Sequence, residues 1–186
     1  MAALTATVCS ANPHKLAEFR ALFPDWDLEL LPNADFPEES GSTYVENARI
    51  KARYGRLVGP PDRWMLADDS GIEVVALGEG PGVLTARWAE GRHVEKLLTS
   101  LEGQTDRRAQ YVCELVALSP EHQEASGTGV LRGTIALAPA GSGGFGFDPV
   151  CVPRGHERTV AELGDAWKAE HSHRALAARA LRDALR

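Results

Sequence analysis

The chain has 186 residues, 44% of them hydrophobic, which is enough for one sizeable core or two small lobes. A formal net charge of -6 argues against a general binder of nucleic-acid polymers, which carries a basic surface, so any anionic substrate must be met by cations placed locally. Met1–Cys9 lacks the basic flank of a signal peptide and no stretch approaches membrane-spanning length, so a cytoplasmic protein without membrane contact is expected.

Strand-like and helix-like periods alternate along the chain, which predicts an α/β layer fold. Leu4–Cys9 reads as a buried first strand. Asn12 then offers an N-cap with Pro13 at the first helical position, and Leu16, Phe19, Leu22 and Phe23 share one helical face. Thr43 and Glu46, three apart, form a capping box for a second helix whose core face is expected to hold Val45, Ala48, Ala52 and Leu57. Glu46 is thereby structural. Gly59, Pro60 and Pro61 break that helix, and Trp64–Ala67 is predicted as a strand delivering Asp68 and Asp69 to its carboxyl end, where α/β sheets place ligands.

Ile72–Leu77 can continue as a strand, and Gly78, Gly80, Pro81 and Gly82 form a loop before Thr85–Trp88. A short helix follows over Val94–Leu101. Arg108–Leu118 and Gly127–Leu137 read as paired strands around the polar turn Ser119–Ser126, a hairpin that could form a separate lobe. Residues 139–149 are a Gly-rich loop, and the Ala- and Leu-rich stretch from Ser172 is helix. Cys9, Cys113 and Cys151, odd in number and flanked by valines, are expected to be buried free thiols of a reducing compartment.

Five clusters carry possible chemistry. Two adjacent carboxylates, Asp68 and Asp69, before Ser70 and Gly71 cost energy unless a cation sits between or beside them, which marks a place for a divalent metal. Ser10, Asn12 and Lys15 stand at a helix N-terminus and suit a phosphate, although Ser and Asn are also ordinary caps. Glu38 and Glu39, ahead of Ser40 and Gly41, are either a solvated acidic loop or the source of a second metal ligand beside Asp69, with Lys51 facing the same pocket or the solvent. Gly143–Pro149 interleaves glycines with Phe145 and Phe147, which either stack on a base or plug a core. Lys168, Ser172, His173 and Arg174 gather at the start of the last helix, which Ser172 can cap.

Together, SANPHK, EESGSTYVENARIKA, LADDSGIEVVALGEGPGVLTARW, GFGFDPV and AELGDAWKAEHSHR resemble the inosine triphosphate pyrophosphatase family, also called the Ham1 family, in order and approximate spacing over nearly the whole chain. The resemblance implies a single domain over 1–186, an elongated curved mixed sheet flanked by helices, and two lobes with a nucleotide cleft between them. It further implies a homodimer that hydrolyses ITP, dITP and XTP to the monophosphate and pyrophosphate with Mg²⁺, clearing deaminated purines from the nucleotide pool.

Residue by residue, the resemblance gives Asp69 the place of general base and metal ligand and Glu38 that of a second metal ligand. Ser10, Ala11, Asn12, Pro13, His14, Lys15 and Ser70 match the triphosphate and sugar contacts. Phe145, Gly146, Phe147, Asp148, Lys168, His173 and Arg174 match the base-binding set. A donor such as Lys168 or Arg174 would favour the 6-keto oxygen of inosine and xanthine over the 6-amino group of adenine.

The chain departs from the family pattern in having Phe147 where tyrosine is common, Ser10 for threonine, and a short segment between Trp88 and His93. The related Maf-type pyrophosphatases are disfavoured by GFGFDP and SHR, and an aspartyl phosphatase by the absence of DxD after the first strand. A nucleotide sensor without catalysis would not need Glu38, Asp68 and Asp69 together.

Overall fold

The computed structural model describes residues 4–32, 35–88 and 91–186. The chain opens as expected: strand β1 (Thr5–Val8) is followed by helix α1 (Pro13–Leu22), with Asn12 accepting a hydrogen bond from the His14 N–H. A strand not foreseen, β2 (Asp27–Leu30), then pairs in parallel with β1. Helix α2 (Tyr44–Val58) starts at a complete capping box between Thr43 and Glu46. Ala48 and Ala52 are buried on its inner face, but Leu57 is 83% exposed. Five positions beyond Ala52, Leu57 turns roughly 140° off that face. Gly55 holds the inner position instead, where a Cβ would stand 2.3 Å from the Cys9 sulfur, so α2 lies closer to the sheet than any larger residue allows.

Strand β3 (Trp64–Val74) pairs in parallel with β1 and runs straight through Asp68, Asp69, Ser70 and Gly71. The two carboxylates therefore lie mid-strand and not at a strand end. Val75–Leu77 forms a 3₁₀ turn in place of further strand, and β4 (Gly80–Pro81) folds back antiparallel to β3. Helices α3 (Thr85–Trp88) and α4 (His93–Ser100) precede the hairpin β5 (Arg108–Leu118) and β6 (Glu124–Ile135). Part of the shortened segment after Trp88, Ala89 and Glu90, lies outside the described residues. Strand β7 (Cys151–Pro153), antiparallel to β6, and helix α5 (Val160–His171) were not expected, while α6 (His173–Ala184) was.

The strands form one mixed sheet in the order β2-β1-β3-β5-β6-β7, with β4 on β3. The α/β class and the open mixed sheet flanked by helices are thus as expected. The chain divides into two compact units, one of Met1–Asp69, Cys113–Gly129 and Arg174–Arg186, the other of Ser70–Val112 and Val130–His173. The hairpin is not a lobe of its own, because each unit takes a part of it.

In the first unit the alternation of β-strand side chains builds two cores. Val8, Leu66 and Leu115 pack with Phe19 and Phe23 of α1 and Ala177 and Leu181 of α6. Cys9, Met65, Ala67 and Val116 pack with Ala48 and Ala52 of α2. The second unit has a core of Ile72, Val74, Tyr111, Leu131 and Phe147 beneath Leu97 of α4 and Val160 of α5. All three cysteines are buried free thiols, as expected. Burial pushes the Cys9 and Cys113 thiols up to about 12, so neither ionises near neutrality. Among the described residues no helix is long and apolar enough to cross a membrane.

Candidate active site

In the first unit the turn between β1 and α1 is held by local bonds. The Ser10 hydroxyl accepts from the Asn12 N–H at 3.1 Å, and the Asn12 side chain accepts from the His14 N–H at 2.9 Å. Ala11, Pro13 and His14 are exposed at the helix N-terminus, where backbone N–H groups and the helix dipole favour an anion. Lys15 turns back from this turn and places Nζ 2.8 Å from Asp68 Oδ1.

Asp68 and Asp69 face opposite sides of β3, since successive strand residues alternate. Asp68, only 1% exposed, meets Lys15 and also Arg174, whose Nη2 is 3.0 Å from Oδ2. Arg174 pairs with Glu18 of α1 as well. Burial alone would raise the Asp68 pKa, but Lys15, Arg174 and Lys51 overcome it and hold the carboxyl well below its usual range. Asp68 is thus a permanent anion locked between cations.

Asp69 lives in a different field. Its Oδ2 accepts from Asn47 Nδ2 at 3.1 Å, and Oδ1 lies 3.3 Å from Lys51 Nζ. Lys51 also touches Glu39 at 2.6 Å, so one ammonium bridges two carboxylates. Burial raises the Asp69 pKa above the ordinary carboxylate value, Lys51 opposes that shift, and the charge of Glu39 adds to it. Asn47 Oδ1 in turn accepts from the Gly41 N–H at 2.8 Å, and Glu46 Oε2 accepts from the Ser42 N–H and hydroxyl at the same distance, which ties the Glu38–Gly41 loop to α2.

Because the sheet separates Asp68 from Asp69, a single ion beside both is ruled out as the reason for their adjacency. The oxygens of Glu39 and Asp69 around the Lys51 ammonium are instead a hard donor set, of the sort that holds Mg²⁺ through one or two carboxylates with phosphate completing the shell. Among the described residues no group of three or more His, Cys, Asp or Glu is arranged as a metal site. Two carboxylates plus substrate oxygens therefore fit the ion, and an all-protein cage does not. Asn47 and Glu18 escaped the sequence reading, although Asn47 stands four residues before Lys51 and so shares its helix face.

The second unit holds the other cluster. Buried Asp148 accepts from the Phe145 N–H and from Lys168 Nζ, both at 2.8 Å, and Lys168 stands 4.1 Å above the Phe145 ring. Gly144 permits this turn: its φ is +71°, and a Cβ there would come within 2.1 Å of Asp148 Oδ2. Gly146 is exposed beside the half-buried Phe145. Phe147 points into the core, 4% exposed, with His93 edge-on at 5.3 Å and Tyr111 at 6.3 Å. His173 stacks on Tyr111 at 4.9 Å. Thus Phe145, Asp148 and Lys168 come together, as do Phe147, Tyr111 and His173, while Arg174 joins Asp68 in the first unit and its guanidinium is engaged there. Ser70 follows Asp69 in β3 and begins the second unit.

Residues 6–184 match the sequence profile of the Ham1 family. The chain belongs to the Ham1 family. It is 37% identical over 96% of both chains to a Bdellovibrio bacteriovorus protein named dITP/XTP pyrophosphatase, and 38% identical to a protein of the same name from Coxiella burnetii, covering 92% of this chain and 91% of that one. The Staphylococcus aureus Ham1 structure superposes with a TM-score of 0.83 at 34% identity over 97% of both chains. A Mycobacterium abscessus structure described as a nucleoside-triphosphatase and dITP/XTP pyrophosphatase gives 0.74 at 39% identity, covering 97% of this chain and 98% of that one. The fold and membership of the Ham1 family thus rest on both sequence and structure.

Proposed function

We propose that this Ham1-family chain is a Mg²⁺-dependent hydrolase that cleaves dITP, ITP and XTP to the nucleoside monophosphate and pyrophosphate. The relatives named dITP/XTP pyrophosphatase support the substrate class. The observation that carries the chemistry is Asp69: a carboxylate of raised pKa, bridged through Lys51 to Glu39.

In this reading Asp69 orients and deprotonates the water that attacks the α-phosphorus, because a raised pKa makes it a better proton acceptor than an ordinary carboxylate. Asp69 and one of Glu38 and Glu39 would hold Mg²⁺, which when bound offsets phosphate charge. The contact of Glu39 with Lys51 favours Glu39 over Glu38. Ser10, Ala11, Asn12, Pro13, His14 and Lys15 receive the phosphates at the α1 N-terminus, with Ser70 as a further polar contact and Lys51 countering charge on the leaving pyrophosphate.

Phe145 and Gly146 offer the surface for the base, and Lys168, fixed by Asp148, donates to a 6-keto oxygen. Phe147 and His173 support that surface from beneath. Arg174 orders Asp68 and Lys15 and leaves base reading to Lys168. From the family resemblance we also infer a cytoplasmic homodimer acting on free nucleotides.

The test is product analysis with dITP and Mg²⁺. Pyrophosphate with dIMP is expected, and orthophosphate with dIDP would overturn the proposed bond cleavage.

A further inference from the structure

In the second unit the sheet has two unlike faces. Ala109 and Tyr111 of β5, Leu131 and Ile135 of β6, and Cys151 of β7 point into the core with Phe147. By strand alternation their neighbours point the other way, and there Glu73, Arg108, Gln110, Arg132, Thr134 and Arg154 line a cavity of about 690 Å³. That size suits a small-molecule ligand.

The charges in this cavity are arranged against folding alone. Gly133 pairs with Pro153 and Thr134 with Val152, so the next pair along is Arg132 opposite Arg154, and the Arg154 N–H donates to the Arg132 carbonyl at 2.9 Å. Like charges directly opposite on neighbouring strands repel. Among the described residues neither guanidinium has a hydrogen bond or ion pair of its own, whereas Arg108 is held by Asp106 at 2.6 Å and Glu73 by Gln110 at 2.7 Å. Glu79, also in the lining, acts on Arg108, whose pKa its charge helps to raise after that of Asp106.

We propose that this face binds a small polyphosphate anion, its phosphate oxygens bridging Arg132 and Arg154. Planar guanidinium groups grip phosphate through paired N–H donors, and two of them on facing strand positions offer one such fork to each phosphate of a diphosphate. Inorganic pyrophosphate and the polyphosphate chain of a nucleotide share this chemistry. The face is separate from the Phe145–Asp148–Lys168 cluster, since Phe147 and Tyr111 lie on the opposite side of the same strands.

Calorimetric titration with pyrophosphate and, separately, with ATP, both without metal, tests the proposal. A Lys15→Ala chain, altered at the α1 N-terminus, is expected to keep binding, and adding Arg132→Gln and Arg154→Gln to it should weaken binding at least tenfold. Tighter pyrophosphate assigns the site to the inorganic ion; tighter ATP assigns it to nucleotides. No binding by Lys15→Ala, affinity within twofold after the arginine substitutions, or a change of oligomeric state on making them, which would mean that a second copy covers the face, overturns the proposal. The Arg132→Gln/Arg154→Gln chain with Lys15 restored should turn over dITP like the parent. Because binding is read without metal or turnover, a chain that releases no pyrophosphate from dITP would sink the proposed function and leave this result standing.

Discussion

The two sides of β3 carry neighbouring aspartates with opposite physical characters. On one side Asp68 is sealed between Lys15 and Arg174 and kept ionised well below the ordinary range. On the other, Asp69 shares one ammonium with Glu39 and has its pKa raised by burial. One residue of offset in a strand is enough to make a structural anion and a candidate base out of the same side chain.

The largest test of that contrast is Asp69→Asn. It removes the proton acceptor, so turnover should fall about 1,000-fold, while the melting temperature stays within a few degrees. Near-normal turnover, measured as pyrophosphate release, would mean that the base is another group.

Asp68→Asn should do the reverse in kind. It leaves half-buried Lys15 without its counter-charge and buried Arg174 with Glu18 alone, and should destabilise the fold by about 3 kcal/mol in urea denaturation. A loss below about 1 kcal/mol would show that Asp68 is not the anchor of the cation pair.

The third and subtlest effect is a separation in pH. Asp68 has a depressed folded pKa, so its contribution to stability is present above the unfolded carboxylate value and is lost only as pH falls through its low folded pKa. Asp69 must be ionised to accept a proton or to hold Mg²⁺, and in the metal-free chain burial raises its pKa, so protons compete for it at a higher pH than for Asp68. A mildly acidic window should therefore exist in which the chain stays folded and loses activity reversibly. Melting temperature and kcat/KM falling together over the same pH range would erase the distinction.

Local signals were legible in the sequence. Asn12 and Pro13 start α1, and Thr43 with Glu46 starts α2, because caps are settled within four residues. The Ser10–Lys15 turn and the Asp68–Asp69 pair stood out for the same reason. β2 did not, since four residues alternating charged and apolar become a strand only by pairing with β1. Helix α5 was obscured by Gly164, which sits inside it at a φ of +83°.

By itself, then, the sequence determined the alternation of strand and helix, the capped helix starts, the buried thiols and the motifs that mark a Ham1-family chain. Tertiary structure alone decided which partner each charged group meets. Arg174 reaches Asp68 across 106 positions and Asn47 reaches Asp69 across 22, and no local rule ranks such partners. Continuation of β3 through Asp68–Gly71 depends on neighbouring strands supplying hydrogen bonds, and that continuation sends the two aspartates to opposite faces.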